Sequence, residues 1–275
     1  MRLIAILREY LMRENRLKGL WADDHAALGG WLTIPSSLSA EYLAHAGLDW
    51  LCIDMQHGSI DYQVAVTMLQ AISTTETVPI VRVPWNEPAA VMRALDTGAS
   101  AVLVPMVNSG AEAARAAAAC RFPPTGERSW GPMWGDTRPD GALPPAEQDA
   151  AAICLVMVET LAGVEALQEI VRTPGVDGVY IGPNDLTLGC GYGRATYRDS
   201  AEVDALIQRV VDACRTEGIV AGLHCSDPEM AVHWAGRGAR LLTAGQDTSL
   251  LRAAAGQLWD AVAGRTGRGT AGSER

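Results

Sequence analysis

Apolar and polar positions along the chain follow two periods that take turns. Short, β-branched apolar runs at about 30–34, 50–54, 79–83, 101–104, 153–158, 176–181, 219–223 and 240–243 read as strands. After each comes an Ala-rich stretch of helical spacing, at 40–46, 64–72, 89–96, 111–119, 164–171, 202–217, 228–236 and 250–262. Strict alternation of strand and helix implies a parallel sheet. Eight such units in about 250 residues predict one α/β domain folded as a (β/α)8 TIM barrel. The rival, an open doubly wound sheet, often carries a glycine-rich nucleotide turn after its first strand. Here that strand runs into Pro35-Ser36-Ser37. The expected layout is a lead-in over 1–28 with helix potential at 11–20, a barrel over 29–263, and a flexible tail over 264–275. Residues 121–150 are rich in Pro and Gly and carry Trp130 and Trp134, so a long structured loop is expected there.

A barrel of this kind does its chemistry at the C-terminal ends of its strands. Polar residues gather there: Asp54, Gln56 and His57 after the second strand, Arg82 in the third, Glu159 after the fifth and Asn184-Asp185 after the sixth. His224-Cys225-Ser226-Asp227 and Gln246-Asp247 follow the seventh and eighth. Each has an ordinary reading beside the functional one. Asp185 can cap a turn after Gly182-Pro183. Glu159 ends a buried run and needs a cation, an ion pair or a raised pKa; a metal is the favoured reading. Arg82 fits either a structural ion pair or an anion site, the latter preferred. His57 alone is a loop histidine as readily as a catalyst. Cys225 beside His224 is a poor nucleophile pair, because adjacent side chains seldom face each other.

Composition narrows the chemistry. A net charge of -10 argues against nucleic acid or an anionic membrane surface as partner. Of 22 basic residues only Lys18 is a lysine, and it lies in the lead-in, so Schiff-base catalysis is disfavoured. The six cysteines form no C-x-x-C pair, and neither a secretory signal nor a membrane-length apolar run is visible. A reduced, cytoplasmic protein is expected. Hydrolase, zincin and P-loop motifs are missing, and Gly189-Cys190-Gly191-Tyr192-Gly193 has the wrong spacing for a dinucleotide turn. Two carboxylates on adjacent strands, Glu159 and Asp185, suit Mg²⁺ or Mn²⁺, with Co²⁺ a further candidate. Such an ion can act as a Lewis acid on a 2-oxo acid while Arg82 carries enolate charge and His57 moves a proton.

The chain resembles the HpcH/HpaI aldolases, the metal-dependent class II pyruvate aldolases of the 4-hydroxy-2-oxoheptanedioate type. The resemblance runs from about residue 14 to 250. It is carried by Gly30-Trp31-Leu32, Ile53-Asp54-Met55-Gln56-His57, Val81-Arg82-Val83-Pro84-Trp85-Asn86, Leu95-Asp96-Thr97-Gly98-Ala99, Phe122-Pro123-Pro124, Val158-Glu159-Thr160 and Ile181-Gly182-Pro183-Asn184-Asp185-Leu186. The resemblance implies a catalytic His57 with Asp96 as its dyad partner, Arg82 on the substrate, and Glu159 and Asp185 on the metal. It implies that Gly182, Pro183 and Asn184 border the 2-oxo acid. The Arg128–Gly131 turn, with Trp130, resembles a segment that a neighbouring subunit lends to the aldehyde end. Hexamers, as trimers of dimers with exchanged C-terminal helices, are implied too. Gln56 stands where the family often has Glu, and Met157 where it often has Gln, which bears on metal affinity and substrate.

The expected function is reversible, divalent-metal-dependent aldol cleavage of a 4-hydroxy-2-oxo acid to pyruvate, or a close 2-oxo acid, and an aldehyde. Oxaloacetate decarboxylation and enolate-dependent bond formation are alternatives on the same site. A coenzyme A ester lyase and a non-catalytic binding barrel are more remote ones. The family usually begins near Met12, so residues 1–11 read as an extension or an upstream start.

Overall fold

The computed structural model describes residues 15–135, 137 and 143–266. Its elements run α1 (Arg16–Ala22), β1 (Ala27–Leu32), α2 (Ser37–Ala44), β2 (Trp50–Asp54), α3 (Tyr62–Ile72), β3 (Val78–Arg82), α4 (Pro88–Asp96), β4 (Ala101–Val104), α5 (Gly110–Ala119) and α6 (Pro145–Ala151). They continue with β5 (Ile153–Val158), α7 (Leu161–Glu165), α8 (Leu167–Val171), β6 (Gly178–Ile181), α9 (Pro183–Gly189), α10 (Ala201–Glu217), β7 (Val220–Leu223), α11 (Pro228–Gly236), β8 (Leu241–Gln246) and α12 (Asp247–Arg265). The strands pair in chain order and close β8 onto β1, all parallel. The (β/α)8 barrel expected from the alternation is the fold.

Strand patterning explains the two cores. Every residue of β2 and β5 is buried, because one face looks into the barrel and the other meets the helices. Inside lie Trp31, Trp50, Cys52, Ile80, Leu103, Leu155, Met157 and Tyr180. Outside, Leu51, Ile53, Val81, Val102, Val156 and Val179 pack beneath the helices. The interior is filled by large rings set over glycines: a Cβ on Gly29 would fall 2.0 Å from the Trp50 ring. Helices start where the sequence supplies a cap. Ser36, Asp61, Ser109, Thr160, Ser200 and Asp227 each accept a backbone N–H from the first turn.

The single helix expected at 164–171 is two, α7 and α8, joined at Ala166. The expected loop at 121–150 contains the short helix α6. In the lead-in, α1 lies against the barrel floor: Leu17 is buried, and the Asn15 amide donates to the Ser100 and Ala151 carbonyls (3.2 and 3.1 Å). Residues 1–14 and 267–275, with the expected extension and most of the tail, lie outside the described residues. The Lys18 ammonium donates to the Ala150 carbonyl (2.7 Å) and lies 3.5 Å from Asp177, which precedes β6. The lone lysine therefore sits at the end of the barrel opposite the strand C-termini. Among the described residues no helix is long and apolar enough to cross a membrane, and no cysteine is in a disulfide.

Candidate active site

The C-terminal strand ends enclose a cavity of about 480 Å³ lined by Trp31, Thr33, Asp54, His57, Ser59, Arg82, Met157, Gly182, Pro183, Asn184, Asp185, His224, Gln246 and Thr248. A larger groove, about 1010 Å³, runs along the opposite end beside Lys18 and Arg240 and has none of the rim residues. The smaller cavity holds the chemistry-bearing groups and is the candidate site.

Its anchor is an ion pair. Asp54 and Arg82 are the last residues of adjacent strands and stand side by side in the register. Arg82 Nε donates to Asp54 Oδ1 (2.9 Å), and Nη2 donates to Oδ2 (2.5 Å). Trp31 Nε1 also donates to Oδ2 (3.1 Å), and the backbone N–H groups of Gln56 and His57 donate to Oδ1 (3.0 and 3.2 Å). Burial pushes the Asp54 carboxyl up, but the hydrogen bonds and charge of Arg82, with those other donors, bring it below its ordinary value. The Arg82 guanidinium, 5.0 Å from the Trp31 ring centroid, is thereby fixed in plane, and Nη1 is left without a protein partner among the described residues. The ion-pair reading of Arg82 is what the structure shows, and the residue also lines the cavity.

The carboxylates follow neighbouring strands: Glu159 comes just after β5, and Asp185 comes after β6. Glu159 Oε1 accepts the Met106 backbone N–H (2.8 Å). Met106, just past β4, holds a left-handed backbone (φ 56°), an uncommon conformation for a residue with a side chain. Burial, then the nearby Asp185 charge, raises the Glu159 pKa against the opposing effects of Met106 and Arg82. Asp185 lies in the first turn of α9, which starts at Pro183. A helix first turn favours a carboxylate.

These groups suit a divalent cation. Glu159 Oε2 lies where Gly182 leaves room, since a Cβ there would fall 2.8 Å from it. Two mutually repelling carboxylates, one of them buried, could serve as donors to an oxygen-seeking ion that keeps several waters or substrate oxygens. Among the described residues no group of three or more His, Cys, Asp or Glu is gathered for a metal. Gln56 Oε1 is buried with no hydrogen-bond partner.

The remaining candidates divide. His57 is exposed and lines the cavity. Asp96 does not meet it within the chain: its Oδ1 pairs with Arg128 Nη2 (2.8 Å), and its carbonyl accepts the Met133 N–H (2.8 Å). Burial raises the Asp96 pKa despite Arg128. Trp130 is exposed and packs on Phe122 (ring centroids 5.2 Å apart), away from the cavity walls of its own chain.

The sequence profile of the HpcH/HpaI aldolase/citrate lyase family matches residues 28–254, nearly the whole barrel. The chain belongs to that family. It is similar to the hydroxypyruvate/pyruvate aldolase of Rhizorhabdus wittichii, with 36% identity over 89% of this chain and 97% of the relative. It is 37% identical to a 4-hydroxy-2-oxo-heptane-1,7-dioate aldolase of Escherichia coli, over 92% of this chain and 95% of the relative. A crystal structure of a family member from Burkholderia cenocepacia superposes with a TM-score of 0.82 at 35% identity, over 90% of this chain and 99% of the other. Membership in the HpcH/HpaI family makes the chain an aldolase-type carbon–carbon lyase.

Proposed function

We propose that the protein catalyses reversible aldol cleavage of a 4-hydroxy-2-oxo acid to pyruvate, or a close 2-oxo acid, and an aldehyde. The observation that carries this reading is the convergence of Arg82 and Asp185 on one cavity, with Glu159 held behind Gly182. Glu159 and Asp185 would hold Mg²⁺ or Mn²⁺, which when bound supplies a Lewis acid at the ketone of the 2-oxo acid. Arg82 Nη1 donates to the substrate oxygens and stabilises the charge that appears on the ketone oxygen when the C3–C4 bond breaks. In cleavage His57 takes the C4 hydroxyl proton, C4 leaves as the aldehyde, and the bonding pair passes to C3 as the enolate. A proton then returns to C3 to give the 2-oxo acid. Gly182 and Pro183 shape the wall beside the acid, and Asn184 offers an amide at its edge.

Asp96 belongs with the Arg128–Gly131 turn, because the Arg128 pair and the Met133 hydrogen bond tie them together. We assign both to the aldehyde end of a neighbouring copy's cavity, where Asp96 would orient that copy's His57. Support for a homo-oligomer comes from α12, which leaves Leu251, Leu258, Trp259 and Val262 exposed.

The test is pyruvate release from a panel of 4-hydroxy-2-oxo acids, followed by coupling to lactate dehydrogenase with Mn²⁺ present. His57→Ala should abolish release while retaining pyruvate binding. No release from any member of the panel would refute the reading, and lost pyruvate binding in His57→Ala would make His57 structural.

A further inference from the structure

Glu159 is held from two sides, and one residue reaches both. On one side Glu159 Oε1 accepts the Met106 backbone N–H (2.8 Å). The turn that presents this N–H has Met106 in a left-handed backbone (φ 56°), which a residue with a side chain keeps only where its surroundings enforce it. On the other side stands Thr160, the next residue in the chain, which caps α7 by accepting the Gly163 N–H on its hydroxyl (3.0 Å). α7 lies close against the 105–109 turn, since a Cβ at Gly163 would fall 2.9 Å from the Val107 carbonyl oxygen.

Asn108 joins the two sides. Its Nδ2 donates to the Met106 carbonyl (2.8 Å), and its Oδ1 accepts the Thr160 hydroxyl. One planar amide therefore links the turn that binds Glu159 to the residue beside Glu159. Only one orientation of the amide serves, because a flipped one would set Oδ1 against the Met106 carbonyl oxygen with no hydrogen between them. The turn is anchored in its own right. The Asn108 backbone N–H donates to Glu112 Oε2 in the first turn of α5 (2.7 Å), and the Val107 N–H donates to the Met157 carbonyl (3.1 Å). Asn108 itself does not line the cavity. An asparagine that merely braced its own turn would need the bond to Met106 alone. The second bond, to Thr160, brings Glu159 into the same unit.

We propose that Asn108 is a positioning residue for the metal-binding carboxylate. It holds Met106 left-handed and Thr160 in place, which keeps Glu159 Oε1 on the Met106 N–H and leaves Oε2 for the cation. This rests on the reading of Glu159 and Asp185 as ligands of a divalent ion. It goes further by assigning the setting of Glu159 to a side chain outside the cavity. Groups behind a ligand govern how well it binds, since a carboxylate that must first be ordered gives up affinity.

The experiment is calorimetric titration of the intact, EDTA-stripped protein with Mn²⁺ alone, with the melting temperature in EDTA measured beside it. Asn108→Ala should weaken Mn²⁺ binding about ten- to a hundredfold, the usual effect of removing a group behind a metal ligand. Thr160→Val should do the same, and Thr160→Ser, which keeps the hydroxyl, should bind as wild type does. Adding Met106→Gly to Asn108→Ala should recover much of the lost affinity, because glycine takes the left-handed backbone unaided. A purely structural asparagine would lower the melting temperature, and glycine at 106 would not bring Mn²⁺ affinity back. Unchanged affinity in Asn108→Ala, or a loss that Met106→Gly leaves uncorrected, would overturn the proposal. Should Asn108→Ala not fold, the pair Thr160→Val and Thr160→Ser decides, and equal affinity in the two overturns it. If wild type itself binds no Mn²⁺, the metal reading fails and this assignment with it. If wild type and Asn108→Ala bind equally, the metal reading stands and the Asn108 assignment alone fails.

Discussion

Asp54→Asn is the sharpest single perturbation of the site. Five N–H groups converge on the Asp54 carboxylate, from Arg82 (two), Trp31, Gln56 and His57. Asparagine keeps the shape but replaces one acceptor oxygen with a donor, so whichever way the amide turns, two or more donors face it. It also removes the negative charge opposite a guanidinium whose side chain is only 9% exposed. Breaking a buried pair by removing one partner costs about 3–5 kcal/mol. The loss should appear in urea unfolding at pH 7. The folded-state pKa of Asp54 lies below the ordinary 3.8, so its contribution is complete above that value. It disappears as the pH falls through the depressed value. In the same variant Arg82 is no longer held in plane, and kcat/KM for pyruvate release should fall about a hundredfold or more. A stability loss under about 1 kcal/mol with kcat/KM unchanged would show that the pair neither anchors the fold nor positions the guanidinium.

Arg82→Lys should lose about a hundredfold or more in kcat/KM, because a point charge cannot hold Asp54 through two bonds and still donate to substrate; near-normal rates would contradict this. Gly182→Ala places a Cβ 2.8 Å from Glu159 Oε2, so Mn²⁺ affinity measured by calorimetry should drop sharply, and unchanged affinity would remove Glu159 from the ligand set. The Glu159 pKa is raised above the ordinary 4.5, so the folded chain keeps that proton to higher pH than the unfolded chain does. The metal-free protein then loses stability as pH rises through this window, and Glu159→Gln should be more stable than wild type in EDTA at pH 7 but not at pH 4. A less stable variant at pH 7 would mean that the carboxylate is already compensated within the chain.

Much of this architecture is written in local pattern. β2, β4 and β5 fall where their apolar runs lie, because nothing but burial on both faces decides them. β1 begins at Ala27 rather than near 30, since its small residues make way for Trp50 and the apolar run understates the strand. β8 extends past Thr243 to Gln246 because Gly245 and Gln246 pair with Gly30 and Trp31. α9 leaves little trace in the hydrophobic pattern, being a seven-residue helix that opens on a proline. The carboxylates and Arg82 were legible as polar residues ending apolar strands. The pairing of Asp54 with Arg82 is set by register, since each ends one of two consecutive strands, and residue type alone does not announce it. The contribution of Met106 could not be read from residue type, because it is a backbone N–H turned by a left-handed φ. The resemblance puts Asp96 with His57, whereas within one chain its carboxylate pairs with Arg128.

The claim that matters most is that a divalent cation held by Glu159 and Asp185 drives the cleavage. One series tests it: pyruvate release by wild type, Glu159→Gln and Asp185→Asn, each treated with EDTA and then titrated with Mn²⁺. Wild type should fall silent in EDTA and recover fully at one Mn²⁺ per chain, while neither variant recovers. Full turnover of wild type in EDTA, or full recovery by either variant at the same Mn²⁺ concentration, would contradict it.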